Sequence, residues 1–276
     1  PLVIMANITR NSYYMMVYDN FTSKVELFYM SNNITSIGSN AFINNASLKR
    51  VKFSTELISI GSEAFKGCSV LQDVNLPTSC VNLGEDAFYN CKEITKFDFN
   101  PSTTVGNGLF NGCSKLKSID CTNIINFNNV EGLFTNCSSL KKAILPSDCT
   151  KINRSMFYNC TSLEGMDLSI YKNLTSLGNS AFNGATNAFL LKDGTREIRF
   201  PNNVMTISDY AFSKTDFGSV VLLKTYNLRG YVFSGATGTV NLPFAESEQP
   251  GWWKASNYRD YWNTGFTGTI NYNYIA

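Results

Sequence analysis

"SIGSEAFKGCSVLQDVNLP" occupies residues 59–77, and residues 36–53 repeat it as "SIGSNAFINNASLKRVKF". The shared frame is I-G-x-x-A-F-x-[NG]-C-x-x-L-x-x-[IV]-x-[LF]. Its phenylalanine returns as Phe42, Phe65, Phe88, Phe110, Phe134, Phe157, Phe182, Phe212 and Phe233, at spacings of 23, 23, 22, 24, 23, 25, 30 and 21 residues. A fixed period of roughly 20–29 residues marks an architecture of stacked coils, because one unit cannot bury its own apolar face and its neighbours must do so.

Each part of the frame has a physical reading. Ile60 and Phe65 lie five apart around a short turn or helix, with Ala64 small enough to let neighbouring coils approach. The position two after the phenylalanine is Asn44, Gly67, Asn90, Gly112, Asn136, Asn159, Gly184, Lys214 and Gly235. Glycine and asparagine tolerate positive φ, so the chain is expected to turn sharply there. A short alternating strand follows, and Pro77, Pro146, Pro201 and Pro243 end several of these.

The strand positions are Val25–Leu27, Val51–Phe53, Val74–Leu76, Phe97–Phe99, Ile119–Cys121, Ala143–Leu145, Met166–Leu168, Ile198–Phe200, Val220–Leu222, Val240–Leu242 and Ile270–Tyr272. They are expected to stack as one curved parallel sheet. About eleven strands at about 4.8 Å give a body on the order of 50 Å long. The expectation is an α/β-type, right-handed solenoid with coil or short helical turns on its convex side. It forms one domain over residues 1–276, with a cap at 1–24, repeats over 25–245 and a closing element with the final strand at 246–276.

Composition narrows the function. The 276 residues carry a net charge of +2 and no histidine. That balance indicates neither disorder nor a polyanion-binding surface, so no nucleic-acid partner is expected. The missing histidine removes Ser-His-Asp and Cys-His catalysis, histidine zinc sites and histidine pH switches together. No GxGxxG, GxxxxGK[ST] or CxxC motif is present. No run approaches the roughly 18 apolar residues that cross a bilayer, so no membrane insertion is expected. The opening "PLVIM" is too short for a signal-peptide core and lacks a basic start. The chain reads as a non-enzyme without cofactor or metal.

The position three after the phenylalanine is Asn45, Cys68, Cys91, Cys113, Cys137, Cys160, Ala185, Thr215 and Ala236. Cysteine thus exchanges with other small residues, which points to packing rather than to ligation or redox chemistry. Adjacent coils could bring sulfurs to disulfide distance, but five in a row cannot all pair. Cys80, Cys121 and Cys149 lie in or just after strands and read the same way.

These residues resemble the BspA-like class of leucine-rich repeats, whose units read as a phenylalanine-cysteine turn followed by L-x-x-[IV]-x-L-P. The resemblance covers about residues 34–243 and loosens after Cys160, where Asn153, Ser208 and Arg229 replace the glycine of the frame. It implies an extracellular or cell-surface solenoid that attaches to a surface receptor, a matrix component or another extracellular protein. It implies no catalytic residues.

In such a sheet the middle residue of each strand faces the open concave side. Those residues are Lys52, Asn75, Asp98, Asp120, Ile144, Asp167 and Arg199, followed by Val221, Asn241 and Asn271. Arg50, Asp73 and Lys96, one step earlier, alternate in sign and read as a solvated ion ladder of little energetic weight. Asp98 and Asp120 are expected side by side, where like charges disfavour one another. They read either as a weak cation or basic-partner site or as a pair relieved by Lys96, Lys117 and water. Calcium ordinarily takes about six to eight oxygens, which favours the second reading.

The "SEQPGWWKASNYRDYWNTGFTG" stretch (247–268) precedes a final strand text, "TGTINYN", that matches "TGTVNLP" at 237–243. Trp252, Trp253 and Trp262 could stack on a glycan, but aromatics this large more naturally seal the last coil. Asn-x-Ser/Thr triplets at Asn7, Asn33, Asn45 and Asn173 matter only in a glycosylating cell. Three functions therefore stand: partner recognition through the concave face, a passive spacer or fibre module of a surface or virion assembly, and carbohydrate binding through the C-terminal aromatics.

Overall fold

The structure, a computed structural model, describes residues 14–18, 25–203, 206–223, 225–248 and 262–274. Most of the expected N-terminal cap, and Trp252 and Trp253, lie outside them. The contacts group the chain into two compact units, Pro1–Pro146 and Ser147–Ala276, and each is a solenoid of short parallel strands.

In the first unit, Tyr14–Tyr18 runs antiparallel to Val25–Met30, which pairs in parallel with Arg50–Lys52. Further along the same face, Ser118–Asp120 pairs with Lys142–Ile144. A second ladder links Ser36–Ile37, Ser59–Ile60, Asn82–Leu83 and Thr104–Val105. In the second unit the face ladder is Glu197–Ile198, Asp216–Val221, Thr237–Asn241 and Thr269–Asn271. Its companion ladder is Lys151–Ile152, Ser176–Leu177, Thr206–Ile207 and Asn227–Leu228.

The turn expected between Ile60 and Phe65 is present at residues 62–67, and the Ser-Ile pairs just before such turns form the second ladder, because Ile60 and its equivalents pair laterally from coil to coil. Two sequence expectations need correction. The face is not one eleven-stranded sheet. Residues 74–76, 97–99 and 166–168 form no strand, although Val74, Phe97, Phe99 and Met166 still point into the core. Finally, the first strand begins at Val25 as expected but runs on to Met30, and its register falls three residues later, since Phe28, and not Val25, aligns with Val51. Among the described residues helix is confined to three single 3₁₀ turns, Phe127–Asn129, Leu168–Ile170 and Glu246–Glu248. No helix there is long and apolar enough to cross a membrane.

The recurring phenylalanine builds a column. In the first unit Phe42, Phe65, Phe88, Phe110 and Phe134 stack face to face, with centroids 5.0, 5.5, 5.8 and 6.3 Å apart. In the second, Phe157, Phe182, Phe212 and Phe233 do the same at 5.4, 5.8 and 5.6 Å. Such pairs are worth about 0.5–1.5 kcal/mol each beyond burial. The backbone turns on both sides of every ring. The position two after each phenylalanine has positive φ in all nine units, from Asn44 at 58° to Gly235 at 65°. The position two before it is left-handed as well, though it carries Asn40, Glu63, Asp86, Gly108, Gly132, Ser155, Ser180, Tyr210 and Tyr231. Between those two kinks the amides aim at the next coil: Glu63 N to Glu85 O (2.8 Å), Phe65 N to Ala87 O (2.8 Å) and Gly67 N to Tyr89 O (2.7 Å).

That geometry explains the cysteine. The Cys68 Sγ donates to Phe42 O of the preceding coil at 3.1 Å, Cys91 to Phe65 O at 3.1 Å, Cys113 to Phe88 O at 3.2 Å and Cys137 to Phe110 O at 3.1 Å. None of the eight cysteines is in a disulfide, and all are buried. The side chain is small enough for the column and supplies a second, weak donor to a carbonyl that already accepts a backbone N–H of its own coil. Asn45, in the first of the nine units, instead accepts from Ser47 N and Leu48 N. Thr215 turns its hydroxyl to Phe212 O of its own coil.

The glycine of the Ile-Gly pair has a different reason. A Cβ on Gly84 would lie 2.4 Å from Ser62 N and 2.6 Å from Gly61 C, backbone atoms that cannot move aside singly. Gly84→Ala should therefore lower stability by about 1–3 kcal/mol, as overpacking does, in a urea titration. The buried thiols make a second expectation. Burial pushes Cys68, Cys80 and Cys149 up to about 12 from an ordinary 9.0. The folded state then holds protons that the unfolded chain gives up, so stability is whole below about pH 9 and declines as pH climbs toward 12. A thiol-specific reagent should leave the folded protein almost unlabelled at pH 8, and the unfolding midpoint should drop steadily from pH 9 to pH 11.

Candidate functional site

Most residues expected to face outward from the strands do so in alternation with buried neighbours, whereas Asn241 is buried between Val240 and Leu242. Lys52 is exposed between Val51 and Phe53; Asn75 and Asp98 are likewise exposed between buried or half-buried flanks, and Asp120 lies between Ile119 and Cys121. Ile144, Asp167, Arg199 and Val221 are half-buried, and Asn241 is buried. Where ladders exist the register aligns these side chains: Asp120 with Ile144 in the first unit, and Val221 with Asn241 and Asn241 with Asn271 in the second. The Asn271 amide donates to Asn241 Oδ1 at 3.0 Å, continuing a polar row along the second unit's face.

The charges are locally satisfied. Lys96 Nζ lies 2.9 Å from Asp98 Oδ2, with both side chains about three-quarters exposed, so the pair is worth only about 0–1 kcal/mol. Asp120 Oδ1 accepts from Thr122 N at 3.0 Å and Thr122 Oγ1 at 2.7 Å. Asp167 Oδ1 accepts from Ser169 N and Ser169 Oγ at 3.0 and 2.6 Å, where it caps the Leu168–Ile170 turn. Two of the three aspartates therefore shape the turn that follows them. Arg199 Nε meets Glu197 Oε2 at 2.6 Å. The ion ladder expected from Arg50, Asp73 and Lys96 does not form: among the described residues no ion pair joins them, since Lys96 turns to Asp98 instead. No group of three or more His, Cys, Asp or Glu side chains there could hold a metal ion.

A concavity lies on the first unit's face. A groove of about 510 Å³ is lined by residues of three successive coils: Leu27 and Tyr29; Arg50, Val51, Lys52, Phe53 and Thr55; Asp73, Asn75, Leu76 and Pro77. Its walls differ. The Val25–Met30 and Arg50–Lys52 strands are joined by a ladder, and Tyr29 stands beside Lys52 in register. The third coil forms no strand over residues 72–78, and the backbone bond joining it to the second coil on this side is Gln72 N to Lys49 O at 2.9 Å. Lys52 Nζ lies 6.0 Å from the Tyr29 ring centroid. Of these residues the sequence reading singled out Lys52, Asn75, Arg50 and Asp73. It missed Tyr29, because placing the first strand at Val25–Leu27 left that tyrosine beyond it.

The C-terminal aromatics divide. Trp262 is 2% exposed and meets Phe233 edge to face at 6.0 Å, ending the phenylalanine column. Its ring therefore offers no free face to a sugar. Trp252 and Trp253 lie outside the described residues.

Comparison with known proteins adds context. The pattern of the BspA type Leucine rich repeat region matches residues 13–131, 102–190 and 126–239, in six copies. No curated protein sequence matches significantly. Among solved structures, a leucine-rich repeat protein from Bacteroides ovatus superposes with TM-score 0.67 at 17% identity, over 99% of this chain and 80% of that one. A leucine rich cell surface protein from Faecalibacterium prausnitzii gives 0.58 at 18% identity, over 99% and 96%. The pneumococcal vaccine antigen PcpA gives 0.60 at 16% identity, over 92% and 67%. At these identities the likeness is one of fold.

Proposed function

We propose a recognition role from one premise: the chain belongs to the BspA-type leucine-rich repeat family. It acts without catalysis, at a cell surface or outside the cell, and binds a protein partner through the strand face. The observation that carries this reading is the outward row of the first unit. Lys52, Asn75, Asp98 and Asp120 stand exposed on successive coils, beside an open groove with an apolar floor. A mixed polar row around an apolar depression is the usual make-up of a protein-recognition patch. The turn column sets the interval between coils, so the row is presented at regular spacing. The name of the Faecalibacterium relative, a cell surface protein, agrees with the proposed location.

The test is binding of the purified chain to matrix proteins, cell surfaces and glycans, with an Asp98→Lys, Asn75→Lys variant for comparison. Both side chains are exposed, so the variant should keep its stability within about 0.5 kcal/mol. Binding is expected to a protein partner and should weaken tenfold or more in the variant. Undiminished binding would move the site off this face, and no binding to any surface would favour a passive spacer.

A further inference from the structure

Resting on that recognition reading, we propose that the groove on the first unit is a subsite for a polypeptide segment that presents a bulky apolar side chain beside a carboxylate. Four observations lead there. The floor is apolar, made by the half-buried Leu27, Tyr29, Leu76 and Pro77 above the core residues Val51 and Phe53, and it is large enough for a side chain: about 510 Å³ sits in the range of roughly 300–1,000 Å³ typical of ligand sites. The rim is cationic. Arg50 and Lys52 are both exposed and stand against the single acid Asp73, and among the described residues neither cation has a carboxylate within ion-pair distance. Two cations elsewhere on strand faces, Lys96 and Arg199, do hold carboxylates, at 2.9 and 2.6 Å. A carboxylate arriving with the ligand would give Arg50 a planar partner for its fork and Lys52 a point charge beside Tyr29.

The occupant is a polypeptide because the groove is open and spans three coils. A small acid would leave much of its surface in water, whereas small-molecule sites bury about 70–90% of their ligands. A chain segment covers that surface itself and can continue across Asn75 and Asp98. The fourth observation concerns the wall formed by residues 73–77. It has no ladder strand and so can adjust to the segment, while the two-stranded wall opposite stays fixed.

The experiment uses the whole chain and fluorescein-labelled hexapeptides, Gly-Ser-Phe-Asp-Ser-Gly and its Asn, Lys and Phe→Ala versions, read by polarization. Expected is binding of the Phe-Asp peptide at least tenfold tighter than the Asn or Ala version. An Arg50→Glu, Lys52→Glu variant should lose that preference and turn to the Lys peptide, and amide exchange at residues 73–77 should slow when the Phe-Asp peptide is bound. Both substitutions lie on exposed side chains, and an unchanged melting temperature will show that the variant is folded. Equal affinity for the four peptides, or an unaltered preference in the variant, overturns the proposal. Phenylpropionate binding as tightly as the peptide overturns it in favour of a small acid. If the chain holds a surface partner that the double variant binds equally well, the subsite fails while the recognition reading stands.

Discussion

Within each unit of this protein every coil has to approach its neighbour within reach of a backbone hydrogen bond, and the residues around the recurring phenylalanine make that approach possible. Two left-handed kinks flank each ring, and between them the amides of Glu63, Phe65 and Gly67 reach carbonyls of the following coil at 2.7–2.8 Å. The rings stack because the backbone has already set their spacing. Ala64 is buried and Gly84 abuts the preceding backbone, so both leave no room for a larger side chain. The cysteine completes the column from behind, donating its S–H to the phenylalanine carbonyl one coil back. Hydrophobic burial is the larger energy, but without this close approach there would be no continuous apolar interior to bury.

The consequence for function is a division of labour across each coil. Where the turn column and the Ile-Gly ladder hold the first unit together, the opposite face is freed from that task. It can carry Lys52, Asn75, Asp98 and Asp120 outward, and it tolerates a loss of ladder pairing between Arg50–Lys52 and Ser118–Asp120. The groove lies at the start of that interval. A face whose pairing is not needed for cohesion can vary in sequence and shape, and this is what a scaffold for recognition requires.

Much of this was legible in the sequence, and the parts that were not have identifiable causes. The kink after each phenylalanine could be read because glycine and asparagine recur there. The kink before it was missed because Glu63, Tyr210 and Tyr231 stand there among Asn40, Asp86, Gly108 and Gly132, which breaks the recurring turn signature. The outward row followed from alternation, which depends only on the pleat. The gaps in the ladder did not, because pairing depends on the lateral distance between coils, and Val74 and Phe97 are buried whether or not their amides are paired. Cysteine was correctly read as packing from its exchange with alanine and threonine, while its donor role needed the carbonyl of a residue 26 positions away in Cys68 and Phe42. The groove's Tyr29 was hidden by a first strand ended three residues early, in an apolar run, "VELFYM", that lacks a clean period of two.

The most direct test is residue-resolved amide hydrogen exchange on the first unit's coils within the whole chain. If the turn column holds the coils together, the amides of Phe65, Phe88 and Phe110 should exchange only through the largest openings of the structure. Those of Val74, Asn75 and Asp98, which join no ladder, should exchange many times faster. Equal protection at both sets, or faster exchange at the phenylalanines, would show that the strand face is what holds the coils, and would contradict the division of labour described here.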